Sequence, residues 1–152
     1  MCAKRAMNIF LVSLFFCCTP PAERFSSSTK QQVSVESFQL IDAASFNDSI
    51  AAAFQEGHSW PLDPIRVAQE YLVSPGPRSV RIGREDDSGE GPDSTTVTVL
   101  EDGYLDDSVR GRWTEFRQVR MTDGTWRIVE VRRAYRCWRG QHRDSFSKEP
   151  CP

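Results

Sequence analysis

Val109–Cys137, VRGRWTEFRQVR-MTDG-TWRIVEVRRAYRC, is the stretch that decides how this chain folds. Two runs rich in Val, Ile, Trp, Phe and Tyr flank Asp123-Gly124, a strong hairpin signal. Gly124 reaches positive φ without a Cβ clash, and Asp123 tolerates it. A two-residue loop, Asp123-Gly124, sets Thr122 against Thr125 and Val119 against Ile128. It also sets Arg117 against Glu130 and Glu115 against Arg132, opposite-charge pairs that stabilise by roughly 0.2–1 kcal/mol each. A three-residue loop, 122–124 with a bulge at the glycine, places Glu115 against Val131 and loses both pairs. The charge pairs favour the shorter loop. In its register Phe116, Val129, Val131 and Tyr135 share one face. Trp113, Val119, Met121, Trp126 and Ile128 share the other. Apolar groups on both sides predict that each face is covered along part of its length, since a one-sided sheet alternates more strictly.

Upstream, Ser79–Arg84 alternates Val80 and Ile82 with polar residues and reads as a strand. Glu85–Asp93 reads as an acidic loop. Ser94–Leu100 is a further strand with Val97 and Val99 on one side, turned at Asp102-Gly103. Val33–Gly57 reads as helical, with Phe38, Ile41 and Ser45 on one face, then Ile50, Ala53 and Phe54. Asn47-Asp48-Ser49 offers caps for a second helix, and Gly57 stops it. Asp63-Pro64 starts another, with Ile65, Ala68 and Leu72 inward, and Ser74-Pro75-Gly76-Pro77 ends it. The expected architecture is α+β: N-terminal helices packed on a four-stranded antiparallel meander, in the manner of a cystatin-like cone.

The first residues read as an address. Lys4 and Arg5 precede an apolar run, Ala6–Phe16, too short to span a membrane and suited to a secretory signal. Cys17 and Cys18 stand where a bacterial lipoprotein carries its lipid. Cys18 is the better candidate, because Cys17 before it is small whereas Phe16 before Cys17 is bulky. Plain cleavage near Ala22 is the alternative. Thr19–Gln32, with Ser26-Ser27-Ser28, reads as a flexible tether. The expected organisation is a signal over 1–18, a tether over 19–32 and one domain over 33–152.

Of the five cysteines, Cys2, Cys17 and Cys18 fall in the leader, leaving Cys137 and Cys151 to pair. A disulfide between them would stabilise by roughly 3 kcal/mol and suits an exported chain. Zinc on Cys137, His142 and Cys151 is the competing reading, weakened by the missing Cys-x-x-Cys spacing.

Charge is distributed unevenly. Arg84–Asp107 carries one base and nine acids, a net of −8, whereas the chain from Val109 onward carries eleven bases and five acids, a net of +6. Neighbouring blocks of opposite sign answer each other within a fold, and that reading outweighs an anionic partner for the basic block. A pI near 5.7 argues against nucleic acid.

Catalytic signals are weak. No Gly-x-Ser-x-Gly elbow and no phosphate-cradling glycine loop is present. His58 sits in a loop after a helix end, and Asp102, Asp106, Asp107 and Glu85–Asp87 read as solvated loop charges. Nothing implies a cofactor or a metal. Arg110, Arg112, Arg132 and Arg136 interleave with Trp113, Tyr135 and Trp138, a combination that binds polyanions by pairing and stacking. The binding set read from the sequence is therefore Arg110, Arg112, Trp113, Arg132, Tyr135 and Arg136, with Arg112 facing Tyr135 and Trp113 facing Ala134.

One resemblance rests on Asp106-Asp107-Ser108-Val109-x-Gly111, Trp126-Arg127-Ile128-Val129, Arg136-Cys137-x-x-Gly140, Phe146 and Cys151. This pattern, covering the C-terminal third, resembles a family of uncharacterised exported bacterial proteins. It implies a small exported domain and no particular chemistry. The function expected is a non-enzymatic envelope module, membrane-tethered by lipid, that binds a protein or an anionic envelope component. A small ligand-binding or hydrolase-like cone, and a purely structural lipoprotein, are the alternatives.

Overall fold

The computed structural model describes residues 33–72 and 76–152. The predicted signal, tether and lipidation sites Cys17 and Cys18 lie outside the described residues. The elements, in order, are β1 (Gln39–Ile41), α1 (Ala44–Gln55), a 3-10 turn (Trp60–Leu62), α2 (Pro64–Tyr71), β2 (Ser79–Asp86), β3 (Ser94–Asp102), β4 (Val109–Arg120) and β5 (Trp126–Cys137). One antiparallel sheet has the order β1-β5-β4-β3-β2.

The α+β class holds, with two corrections: the sheet has five strands rather than four, and a strand precedes the helices. Residues 33–41 are extended, not helical. Val33 and Val35 alternate with Ser34 and Glu36, a period-2 signal that β-branched side chains favour. Gln39–Ile41 then pairs with Val131–Arg133 on the outer edge of β5.

Helix α1 starts later than expected, so Asn47-Asp48-Ser49 lies inside it rather than capping it. Asp42 Oδ1 accepts from Ala44 N (3.0 Å) and turns the chain into the helix. The C-terminus closes as a Schellman motif: His58 N donates to Ala53 O and Gly57 N to Phe54 O, with Gly57 at φ +84°. In α2 the expected cap is present, Asp63 Oδ1 accepting from Ile65 N (2.9 Å) ahead of Pro64.

The hairpin combines both loop readings. Gly124 N donates to Met121 O and Met121 N to Thr125 O, so the loop is the three-residue one, 122–124, with Gly124 at φ +87°. The pairs Thr122–Thr125 and Val119–Ile128 do not form. Val119 faces Arg127, and Ile128 faces Gln118. Farther along, Val129 is an extra residue between the pairs Gln118–Ile128 and Arg117–Glu130. This bulge restores the register of the two-residue reading, so Arg117 faces Glu130, Glu115 faces Arg132 and Arg112 faces Tyr135. It also breaks the alternation within β5. Trp126 and Ile128 therefore join Phe116 and Val131 on one face, correcting the division of faces read from the sequence.

Each face is covered differently. Ile50, Val67 and Ala68 from the helices bury Val97, Val99, Phe116, Trp126, Ile128 and Val131. Phe46, Tyr71 and Phe116 stack edge-to-face across that layer, with centroids 5.0 and 5.2 Å apart. On the opposite face Leu100, Trp113 and Ala134 pack under Phe146, Val33 and Val35. Phe146 and Ser147 bridge to Val35 and Tyr135, and Cys137 and Cys151 are bonded with Cα atoms 5.4 Å apart. The disulfide thus ties the tail down over this second core.

Candidate functional site

Strand alternation places Val97, Val99 and Glu101 on the helix side. Their partners across β4 and β5 are Phe116 and Val131, Thr114 and Arg133, and Arg112 and Tyr135. The first rung is apolar. The next two form a polar layer beyond the end of α2, with Tyr71, Tyr104 and Gln39 around it. Glu101, only 3% exposed, takes a bidentate pair from Arg112, with Nε–Oε2 2.5 Å and Nη2–Oε1 2.8 Å. This fork geometry is what makes a buried carboxylate tolerable. Tyr104 lies under the Arg112 guanidinium, 5.6 Å from ring centroid to Cζ. Burial, together with the neighbouring Glu101 carboxylate, pushes its hydroxyl far above the usual phenol range and keeps it a donor. Gln39 Nε2 donates to Tyr135 Oη at 3.4 Å.

Three buried polar atoms of this layer stand unmet: Tyr104 Oη, Thr114 Oγ1 and Arg133 Nε. Arg133 stacks on Tyr71 at 5.9 Å, its Nε buried without a hydrogen-bond partner, and it has no ion pair among the described residues. Thr114, directly opposite Arg133, is fully buried, and its hydroxyl has no partner. A guanidinium beside an unsatisfied hydroxyl can receive one oxyanion.

The residues expected to form one binding face are divided by the sheet. Arg112 and Tyr135 belong to the polar layer. Trp113 is buried under the tail-side core at 8% exposure. Arg132 pairs with Glu115 (3.3 Å), the cross-strand partner expected, and with Glu130 (2.7 Å), its neighbour two residues back on β5. Arg136 holds Asp102 at 2.7 Å, Arg110 approaches the same carboxylate at 3.6 Å, and Arg110 also stacks on Trp138. The acidic and basic blocks therefore meet inside the fold, as their neighbouring opposite charges predict. Burial pushes Asp102 up, but Arg136, the Gly103 N–H and Arg110 outweigh it and hold the carboxyl below its ordinary value.

Other candidates resolve into structure. The sulfurs of Cys137 and Cys151 are joined, so the disulfide reading describes them and the zinc reading does not. Among the described residues no group of three metal-ligating side chains converges. His58 sits at the exposed end of α1 beside Glu56. Asp106 Oδ1 accepts from Ser108 N and Val109 N, both 2.7 Å, turning the chain into β4.

A cleft of about 500 Å³ opens where β1 ends, lined in part by Asp42, Asn47, Met121 and Glu130. A smaller one of about 270 Å³ lies between α1 and the hairpin tip. Several of their polar groups are engaged: Asn47 both donates to Ile128 O (2.9 Å) and accepts from Ile128 N (3.0 Å), Asp123 holds Thr125, and Glu130 pairs with Arg132. Sequence reasoning missed Asn47, which occupies the β5 edge beyond the end of β1, and missed Arg133, Thr114 and Tyr104. Arg133 and Thr114 were findable, because the register that pairs Arg112 with Tyr135 also pairs Thr114 with Arg133.

Comparison with known proteins finds no matching family model, no matching curated protein and no matching solved structure.

Proposed function

We propose that this chain is an exported bacterial binding module, without a reaction of its own, that takes an oxyanion-bearing ligand in a cystatin-like cone formed by the helices and the helix-side face of the sheet. One observation carries the reading: Arg133 and Thr114 sit side by side with unmet polar atoms, backed by the Arg112–Glu101 pair. The proposal keeps Arg112 and Tyr135 from the sequence reading and adds Thr114, Arg133 and Tyr104. It leaves out Arg110, Arg132 and Arg136, which hold carboxylates, and Trp113, which is buried. A general-base role does not fit Glu101, whose two oxygens are held by Arg112.

The setting belongs to the same proposal. The Cys137–Cys151 bond favours an oxidising compartment, and the leader up to Cys18 supplies a lipid anchor to the membrane. Mass spectrometry of the mature protein, with and without reductant, reads the processed N-terminus, its acyl chains and the disulfide together.

The binding test is calorimetric titration of the full chain with inorganic phosphate and with succinate, repeated on Arg133→Met. Binding by the wild type, weakened about tenfold or more in the variant, supports the site. Absence of any heat or chemical-shift change with both anions, or equal binding by Arg133→Met, removes it.

A further inference from the structure

Strand β2 is one of the two edge strands of the sheet, and over its eight residues only Ile82 is partly covered. Asp87 N donates to Ser94 O (3.3 Å), which fixes the phase of the ladder. The alternation of an antiparallel pair then turns the N–H and C=O groups of Val80, Ile82, Arg84 and Asp86 away from β3. Among the described residues nothing pairs with this outer side of β2, and such an edge is a template for another strand that natural sheets guard.

The charges here do not repel every comer. Arg78, Arg81 and Arg84 come first, and Glu85, Asp86 and Asp87 follow. A second β2 laid parallel would set like against like, and one laid antiparallel sets bases against acids. We propose that β2 pairs antiparallel with β2 of a second copy of this chain, about a two-fold axis through Gly83, joining two five-stranded sheets into one.

The ladder phase restricts the register. Outward-facing groups must meet outward-facing groups, so the axis passes through a residue and not between two. An axis through Gly83 places Ile82 opposite Arg84 and Val80 opposite Asp86 of the second copy, each pair hydrogen-bonded. It places Arg81 opposite Glu85 of the second copy, twice by symmetry. An axis through Ile82 sets Arg81 against a glycine, and one through Arg84 sets two guanidinium groups face to face. Gly83 then lies opposite its own twin at a non-hydrogen-bonded position, where Cα atoms stand about 4.5 Å apart. A side chain at Gly83 meets nothing within 4 Å in the single chain. With the axis normal to the sheet, both helix layers fall on the same side, and the half-exposed Val80 of each copy borders the joint.

The test uses the full chain carrying Gly83→Cys, incubated with oxidised glutathione, which accepts the two electrons as the two thiols join. A Cα separation near 4.5 Å is within disulfide reach. The expected product is a covalent dimer whose linkage maps by mass spectrometry to residue 83 on both chains. Ser79→Cys, which this register places opposite Asp87 and far from its twin, gives none. In sedimentation equilibrium the wild type dimerises, Arg81→Glu is monomeric, and Arg81→Glu combined with Glu85→Arg dimerises again. A wild type that stays monomeric over roughly a hundredfold concentration range overturns the pairing. So does a double variant that fails to recover, or a residue-83 linkage no more frequent than one at residue 79.

Discussion

The two faces of this sheet are built by the same strands and held by different means. The helix side buries a continuous apolar layer in which Val67, Ala68, Val97, Phe116 and Val131 are fully inaccessible. The tail side has a small apolar patch around Trp113 and Phe146 and, beside it, the ion-pair ladder Arg117–Glu130–Arg132–Glu115. Apolar burial of this kind carries most of a domain's stability, whereas exposed ion pairs contribute little and chiefly mark register. The tail-side core is small enough to need a covalent tie, and the Cys137–Cys151 bond supplies one. The helix side therefore holds the fold, and the tail side is its adjustable half.

The largest expected effect is on the helix side. Phe116→Ala removes a fully buried ring that packs on Tyr71, and should cost about 3–5 kcal/mol in urea unfolding. The loss should appear as a lower midpoint for the whole transition, because every element contacts this layer. A cost below 1 kcal/mol would mean that the helix layer is not what holds the sheet.

Next comes the tie. Replacing Cys137 and Cys151 by alanine should cost about 3 kcal/mol. Amide exchange should accelerate first at Phe146 and Ser147, whose N–H groups bond to Ser34 O and Tyr135 O. Equal acceleration at Val97 and Phe116 would erase the distinction between the two faces.

A smaller effect distinguishes two carboxylates of the tail side by the sign of their pH dependence. Burial pushes the Glu115 carboxyl up, and Arg132 offsets this only in part. Its proton is therefore held more tightly in the folded state than in the unfolded one. The charged form weakens the fold above the raised value, and stability is regained as pH falls through it. Asp102 runs the other way: its lowered value stabilises the fold above the ordinary carboxylate range, and that contribution is lost as pH falls through the lowered value. Glu115→Gln should be neutral to stabilising at pH 7, by about 1 kcal/mol or less, with the gap to wild type closing toward about pH 4. Urea midpoints at both pH values check it. A gap that widens on acidification would reverse the assignment.

Much of this was legible from residue types alone. Asp63-Pro64 announced α2, Gly57 announced the end of α1, and the charge pairs located the outer register of the β4–β5 hairpin. Edge strand β1 was lost because three residues are too few to show a period, and Phe38 and Ile41 happen to lie at helical spacing. The polar layer was half legible. Arg112 and Tyr135 stood out as a facing pair, but the reading grouped them with residues on the opposite face. An irregularity inside a strand leaves no trace in composition, and the division of faces depended on one.

That irregularity gives the smallest and sharpest prediction. Val129 is 54% exposed and opposes no residue of β4. Deleting it would join Ile128 directly to Glu130. Gln118 would still face Ile128 and Arg117 would still face Glu130, now as consecutive rungs of a regular ladder, so Trp126 and Ile128 would stay on the helix side. The cost should be about 1 kcal/mol or less, unlike deletions that shift a register and turn buried side chains outward. Tm and Trp fluorescence of the deletion variant read the outcome. A red-shifted, exposed Trp126 would mean that the bulge sets the twist on which the helices pack. A blue-shifted spectrum close to wild type would mean that the helix-side core selects the pairing and the bulge merely reconciles it with a three-residue turn.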